Sequence, residues 1–242
     1  MADLNEKSFF KKNWKLMIGT LFFVLFLLLI VLLKTVDVEL DGATGKPIGL
    51  SGLNFAARDV LGEHYALYDL TEYLGYFAIL VAAGFAIWAF VRFCFARFDL
   101  RKMGFDFLVL AALYLAVLLF YVFFELVVIN YRPVLLDGAA EASFPSSHTM
   151  LSITVFVSAA TVLYRRFTPR VSQIVFSLPF WVVAVFVAVL RLFSGVHWLT
   201  DIVGGVLLSL SLVFLFSFFS DFVPVEHDEK KEAEETDPAP AE

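Results

Sequence analysis

The sequence predicts an all-α, polytopic membrane protein with six transmembrane helices and both termini in the cytoplasm. Three observations carry that prediction. Hydrophobic residues make up 60% of the 242 positions, with 29 Phe, and the mean hydropathy is +0.83; a soluble domain of this size needs more polar surface to cover its core. Six stretches reach the roughly 20 mostly apolar residues that a spanning helix requires, and an even number returns the chain to its starting side. Lys and Arg, which are retained on the cytoplasmic side, are distributed unevenly between the connecting segments.

The first stretch, Trp14 to Val36, has the basic N-terminal flank of a signal peptide, Lys7, Lys11, Lys12 and Lys15. Its apolar run exceeds the roughly 7 to 15 residues of a signal sequence, and no small-x-small cleavage site closes it, so it reads as an uncleaved first helix. The segment Asp37 to Asp69 carries turn signals at Asp41-Gly42 and Lys46-Pro47, then a mixed stretch that reads as a short interfacial helix. The second span, Leu70 to Phe93, ends at Cys94. This is the single cysteine, so no disulfide framework or cysteine-based metal site is available. The remaining spans are Phe105 to Ile129, Ser147 to Tyr164, Val171 to Leu190 and Trp198 to Phe219.

A membrane domain over 1–222 is followed by a tail, 223–242, that is acidic, contains Pro and Ala, and lacks apolar periodicity. It is expected to be disordered in the cytoplasm. Most of the net charge of -6 comes from that tail. The overall charge therefore says little about a ligand, and neither a basic stripe suited to nucleic acid nor an internal repeat is present.

With the N-terminus inside, the cytoplasmic segments hold 13 of the 18 Lys and Arg: Lys7, Lys11, Lys12 and Lys15 at the N-terminal flank of the first span, then Arg92, Arg97, Arg101, Lys102, Arg165, Arg166, Arg170, Lys230 and Lys231. The other side holds Lys34, Lys46, Arg58, Arg132 and Arg191. On that side the unusual residues collect. The third span ends in FFELVVINYRP, the fourth opens with FPSSHTM, and the last two are joined by LRLFSGVHWLTD.

Ionisable residues at membrane depth cost roughly 2.5 to 3.5 kcal/mol each on insertion scales, so Glu125, Arg191 and Asp201 require partners. In PSSHT, Ser146 or Ser147 is positioned to cap a helix, whose free N–H groups and positive dipole end favour an anion beside His148. His197 and Asp201 are spaced i, i+4 on the expected first turn of the sixth helix, so the carboxylate can take one ring N–H and leave the other nitrogen free. Each residue also has a plainer reading: a capping histidine, arginines snorkelling to headgroups, an aspartate complementing a helix dipole. The conjunction on one side is what holding a phosphate, attacking it and protonating its leaving group needs.

At these residues the sequence resembles the type 2 phosphatidic acid phosphatase superfamily, integral membrane lipid phosphatases related to the vanadium haloperoxidases. That family's signature is Lys, six residues, Arg-Pro; then Pro-Ser-Gly-His; then Ser-Arg, five residues, His, three residues, Asp. Arg132-Pro133 matches the first part, Pro145-Ser146-Ser147-His148 the second with Ser for Gly, and Arg191, His197 and Asp201 the third. Glu125 stands where the family has lysine, and Leu190 where it has serine.

The resemblance implies a phosphohistidine on His197, oriented by Asp201, with His148 protonating the leaving group and then activating water. Arg132, Arg191, Ser146 and the backbone near Ser147 would hold the phosphate oxygens, without metal or cofactor. The implied partners are a lipid phosphate or diphosphate and the bilayer, with no nucleic acid. Undecaprenyl diphosphate, phosphatidylglycerol phosphate and phosphatidic acid all fit a multi-pass protein of a bacterial cytoplasmic membrane with an outward-facing site. A lipid phosphotransferase sharing the phosphohistidine and a non-catalytic lipid-binding protein are the alternatives. Glu125 is expected to pair with Arg132 or Arg191 and fix that arginine's orientation.

Overall fold

Every backbone N–H and C=O that crosses hydrocarbon must be paired within the chain, which leaves helices as the spanning elements here. The computed structural model describes residues 2–99, 105–136 and 138–222. The acidic tail 223–242, with Lys230 and Lys231, and the basic residues Arg101 and Lys102 lie outside the described residues. The helices are α1 (Ala2–Thr35), α2 (Ser51–Leu61), α3 (Tyr65–Phe95), α4 (Phe105–Leu126), α5 (Ser147–Arg166), α6 (Arg170–Phe193) and α7 (Leu199–Ser220). Strands β1 (Glu39–Leu40) and β2 (Pro47–Ile48) pair antiparallel between α1 and α2, with Glu39 opposite Ile48.

All but α2 are long and apolar enough to cross a membrane, so the six expected spans are present. Four boundaries differ from the sequence expectation by three residues or more. Helix α1 starts at Ala2 rather than Trp14 and α3 at Tyr65 rather than Leu70, while α4 stops at Leu126 rather than Ile129 and α6 at Phe193 rather than Leu190. The chain after α4 folds into a short hairpin, in which Tyr131 bridges Ala142 and the Ser143 N–H donates to the Asn130 carbonyl at 3.0 Å.

Helix starts follow from local chemistry. Ser146 is the N-cap of α5: its Oγ accepts from the Thr149 hydroxyl at 3.0 Å and, at 3.5 Å, from the Thr149 N–H. Pro169, which lacks an N–H to satisfy, precedes α6. At α7 the Asp201 carboxylate accepts the Trp198 N–H at 2.9 Å. The short helix expected between the first two spans is present as α2, and Asn54 fastens it. Fully buried, Asn54 donates to Gly49 O and Thr200 Oγ1, both at 3.0 Å, and accepts the Thr200 N–H at 3.2 Å.

Helix α5 is the centre of the bundle, packed against α6, α7 and α3, while α1 lies along α7. Val155, Phe156, Ala159 and Ala160 are buried in it. Leu80, Leu119 and Val185, by contrast, are exposed on α3, α4 and α6, as side chains that meet lipid tails are. The two ends of α5 differ in kind. At its C-terminal end Arg165 and Lys15 both pair with Asp221, at 3.3 and 2.6 Å. Its N-terminal end, about 30 Å away for a helix of 20 residues, carries the polar islands.

The N-terminus of α5 approaches the first turns of α7 because Gly204 and Gly205 have no side chains there. A Cβ on Gly205 would meet the Ser146 carbonyl at 3.0 Å, and one on Gly204 would lie 2.3 Å from the Phe144 ring. Phe144 cannot yield easily: it is buried, stacked on Phe26 at 5.7 Å and edge-on to Phe124 at 6.1 Å. Overpacking of this kind costs about 1 to 3 kcal/mol. Gly204→Ala is therefore expected to lower the melting temperature in detergent, as a thermal unfolding scan beside wild type will read; an unchanged transition would show that Phe144 has room to move.

Candidate active site

Four segments converge at the N-terminal end of α5. The hairpin after α4 supplies Arg132, whose N–H donates to the Glu141 carbonyl at 3.0 Å across the two strands of the hairpin. Its Nε lies 3.2 Å from Glu141 Oε2. The cap of α5 supplies Ser147 and His148, the end of α6 supplies Arg191, and the α6–α7 connection supplies His197, with Asp201 in the first turn of α7. The Ser146 N–H donates to the Asp201 carbonyl at 3.0 Å, which ties the start of α5 to that turn. The sequence-predicted residues His148, Arg132, Arg191, Ser146, Ser147, His197 and Asp201 thus come together.

His197 precedes α7 rather than sitting on its first turn, so the expected helical i, i+4 contact takes another form. Its Nδ1 is 3.6 Å from Asp201 Oδ2, longer than a hydrogen bond, and that oxygen accepts the Trp198 N–H instead. Trp198 is held in turn by its indole N–H to the Tyr131 carbonyl at 2.8 Å and by the edge of Phe55 on α2. On the other side of the ring, Arg132 Nη1 stands 3.4 Å from His197 Nε2. A guanidinium can only donate, so Nε2 carries the lone pair and Nδ1 the proton, facing Asp201. Burial first, then the charges of Arg132 and Arg191, holds His197 well below the ordinary imidazole range. The ring is neutral near pH 7, with Nε2 free to attack or to accept.

Arg191 is fully buried. Its Nη1 donates to Thr71 Oγ1 at 2.8 Å and Glu72 Oε1 at 3.0 Å, and its guanidinium lies over the Tyr68 ring at 4.8 Å. Nε and Nη2 are buried without a hydrogen-bond partner. Two donors on a buried cation, left unpaired, mark the place of an anion. The turn that opens α5 adds the Ser147 and His148 N–H groups, which no intrahelical carbonyl reaches. A cleft beside them is lined by Phe120, Phe124, Glu125, Arg132, Ser147 and His197. Aromatic residues of α4 form one wall, and the polar groups form its end.

Two further sequence expectations are corrected. Glu125 pairs with neither arginine: Arg132 is paired with Glu141 and Arg191 with Glu72, while Glu125 is exposed at the rim of the cleft. The cause is the early end of α4, because the hairpin carries Arg132 away from the helical face it would share with Glu125. Ser146, expected among the phosphate contacts, is wholly buried and engaged by Thr149 as the cap, which leaves Ser147 as the serine that lines the cleft.

Helix α3 adds to the site a residue that the sequence analysis did not name. This is Glu72, whose Oε2 is 3.2 Å from His148 Nε2. Sequence reading missed it, although a carboxylate inside an apolar span is itself a signal of a polar partner. Among the described residues no three His, Cys, Asp or Glu side chains form a metal donor set.

Comparison with known proteins agrees with this architecture. Residues 127–222 match the PAP2 superfamily, a segment that contains every motif residue from Arg132 to Asp201. Over 81 residues it is 36% identical to phosphatidylglycerophosphatase B of Bacillus subtilis (strain 168). That match covers 33% of this chain and spans 39% of the length of that relative. The fold is similar to the crystal structure of a transmembrane PAP2-type phosphatidylglycerolphosphate phosphatase from Bacillus subtilis, with a TM-score of 0.61 and 21% identity. That likeness covers 84% of this chain and 96% of the other.

The state of His197 can be read without any substrate. In protein labelled with 15N-histidine and held in micelles, the His197 ring is expected to remain neutral, protonated on Nδ1, at pH values below the ordinary imidazole pKa of about 6.5. Arg132→Ala, which removes the largest of the charges acting on it, should move that titration upward. A wild-type His197 that titrates near 6.5 would contradict the burial and the charge arrangement together.

Proposed function

We propose that the protein is a membrane phosphatase that hydrolyses lipid phosphate esters through a phosphohistidine on His197. The observation that carries this reading is the pair of unpartnered donor atoms on buried Arg191, whose charge acts on His197 together with that of Arg132, in a site whose cleft is lined by Arg132, Ser147 and His197. Such a set neutralises a phosphate and presents a nucleophile to it. The match of residues 127–222 to the PAP2 superfamily and the similarity of the fold to a PAP2-type phosphatase support the same class.

In the proposed cycle His197 Nε2 forms a bond to phosphorus as the bond from phosphorus to the lipid oxygen breaks, and His148 gives that oxygen its proton. His148 then takes a proton from water while the water oxygen bonds to phosphorus and the P–N bond breaks. Inorganic phosphate leaves and His197 is regenerated. Asp201 faces Nδ1–H throughout and offsets the positive charge the ring gains on phosphorylation. Arg132, Arg191, Ser147 and the helix N-terminus supply the charge stabilisation of the transferring group. The aromatic wall from Phe120 to Phe124 faces the cleft from a helix whose other side is exposed to lipid, a route by which an acyl chain can stay in the bilayer while its phosphate reaches His197.

The distribution of Lys and Arg supports termini in the cytoplasm and a site on the opposite face of a bacterial cytoplasmic membrane. One experiment tests activity and face together. Purified protein in detergent with EDTA is offered phosphatidic acid, phosphatidylglycerol phosphate and undecaprenyl diphosphate, and intact spheroplasts are offered a short-chain, membrane-impermeant lipid phosphate. Phosphate release is expected in both settings and should be absent from His197→Ala protein that still folds. Release that persists in that variant contradicts the assignment, and activity seen only after spheroplast lysis contradicts the face.

A further inference from the structure

Glu72 lies outside the segment matched to the superfamily and touches two site residues at once. Its Oε2 is 3.2 Å from His148 Nε2, and its Oε1 accepts from Arg191 Nη1 at 3.0 Å. The other ring nitrogen of His148, Nδ1, is buried without a partner. The arrangement resembles the pair across the site, where Asp201 stands by Nδ1 of His197 and Nε2 lies on the opposite side of the ring, 3.4 Å from Arg132 Nη1. In each case a carboxylate attends one nitrogen, and the opposite nitrogen is the one available for exchange.

Helix α3 is shaped for this contact. Tyr68, Glu72 and Gly75 recur at i, i+4 and i+7, which places them on one face. Tyr68 lies against Arg191, Glu72 bonds both partners, and Gly75 makes room for the imidazole. A Cβ at position 75 would lie 2.6 Å from His148 Cδ2 and 3.0 Å from its Nε2. A carboxylate present only to neutralise Arg191 would not need the adjoining turn cleared for a histidine.

We propose that Glu72 is the positioning residue of His148. By accepting the Nε2–H it turns Nδ1 toward the leaving oxygen, and by holding Arg191 with its other oxygen it sets the distance between the proton donor and the phosphate cradle. This rests on the phosphatase reading above. If Glu72 acts through His148, its loss should matter most where the leaving oxygen needs a proton. An alkyl phosphate, whose alkoxide is a poor leaving group, depends on the acid; p-nitrophenyl phosphate, whose phenolate leaves unprotonated, does not. A general structural role would slow both alike.

The test measures kcat and KM for a short-chain phosphatidic acid and for p-nitrophenyl phosphate with wild type, Glu72→Gln, Gly75→Ala, His148→Ala and the Glu72→Gln/His148→Ala double variant. Each is shown by its melting transition to be folded at the assay temperature. Glu72→Gln, nearly isosteric, is expected to lower kcat on the alkyl ester by at least about tenfold and on the aryl ester much less, since general acid catalysis is worth about a hundredfold or more. His148→Ala should show the same selectivity, and adding Glu72→Gln to it should cost little further. Gly75→Ala should reproduce the pattern by displacing the ring while the carboxylate stays. Wild-type turnover that Glu72→Gln leaves unchanged, or lowers equally on both substrates, overturns this inference alone. Absence of wild-type turnover on either substrate, or turnover that survives His197→Ala, overturns the phosphatase reading and this inference with it.

Discussion

The site depends on one buried cation. Arg191 is inaccessible to solvent at the end of a helix whose neighbours are Leu, Val and Phe, and a charge in such a place persists only with partners that meet it at close range. Thr71, Glu72 and the face of Tyr68 meet one side of it, all from α3. The other side, Nε and Nη2, is buried without a hydrogen-bond partner. Glu72 then reaches His148, which begins α5, and the cap residue of α5 is bonded to Asp201 on α7. A single ion pair thus links α3, α5, α6 and, through α5, α7 at the end where chemistry is expected.

Removing Glu72 would take the carboxylate from a fully buried guanidinium, while Glu72 itself is partly exposed; breaking a wholly buried pair costs about 3 to 5 kcal/mol, and this partly exposed one less. The rest of the bundle is held differently. Helix α5 sits in the middle with small and β-branched residues turned to its neighbours, and close approach at Gly204 and Gly205 keeps His148 and His197 within one site. Helix α2 covers the connection that carries His197: Asn54 binds the Thr200 N–H, and Phe55 packs on Trp198. Each of these contacts limits where the His197 ring can lie. Precision of that kind matters because displacement of reacting groups by about 1 Å can cost a hundredfold in rate.

Much of this was legible in the sequence. Apolar runs long enough to span announced themselves by composition, since a lipid-facing helix has no reason to alternate polar and apolar residues. The residues from Arg132 to Asp201 were legible as islands that hydrocarbon would not tolerate. What was not legible depended on pairing between distant segments. Glu72 and Arg191 are 119 positions apart, and no spacing rule joins them. The Glu125–Arg132 pairing assumed a helix that continues to Arg132, but α4 ends at Leu126 and the hairpin redirects the arginine to Glu141. Ser146 and Ser147 could not be told apart by residue type. Only the cap geometry assigns the first to the helix and the second to the cleft.

The central claim is that His197 Nε2, neutral and oriented by Asp201 and Arg132, bonds directly to phosphorus. The most direct measurement quenches the enzyme within a turnover of 32P-labelled lipid phosphate and maps the label after proteolysis. The account predicts label that is stable to alkali and labile to acid, confined to the peptide containing LFSGVHWLTD and localised to His197. Label on another residue would contradict it, as would rapid phosphate release with no protein-bound phosphorus at any quench time.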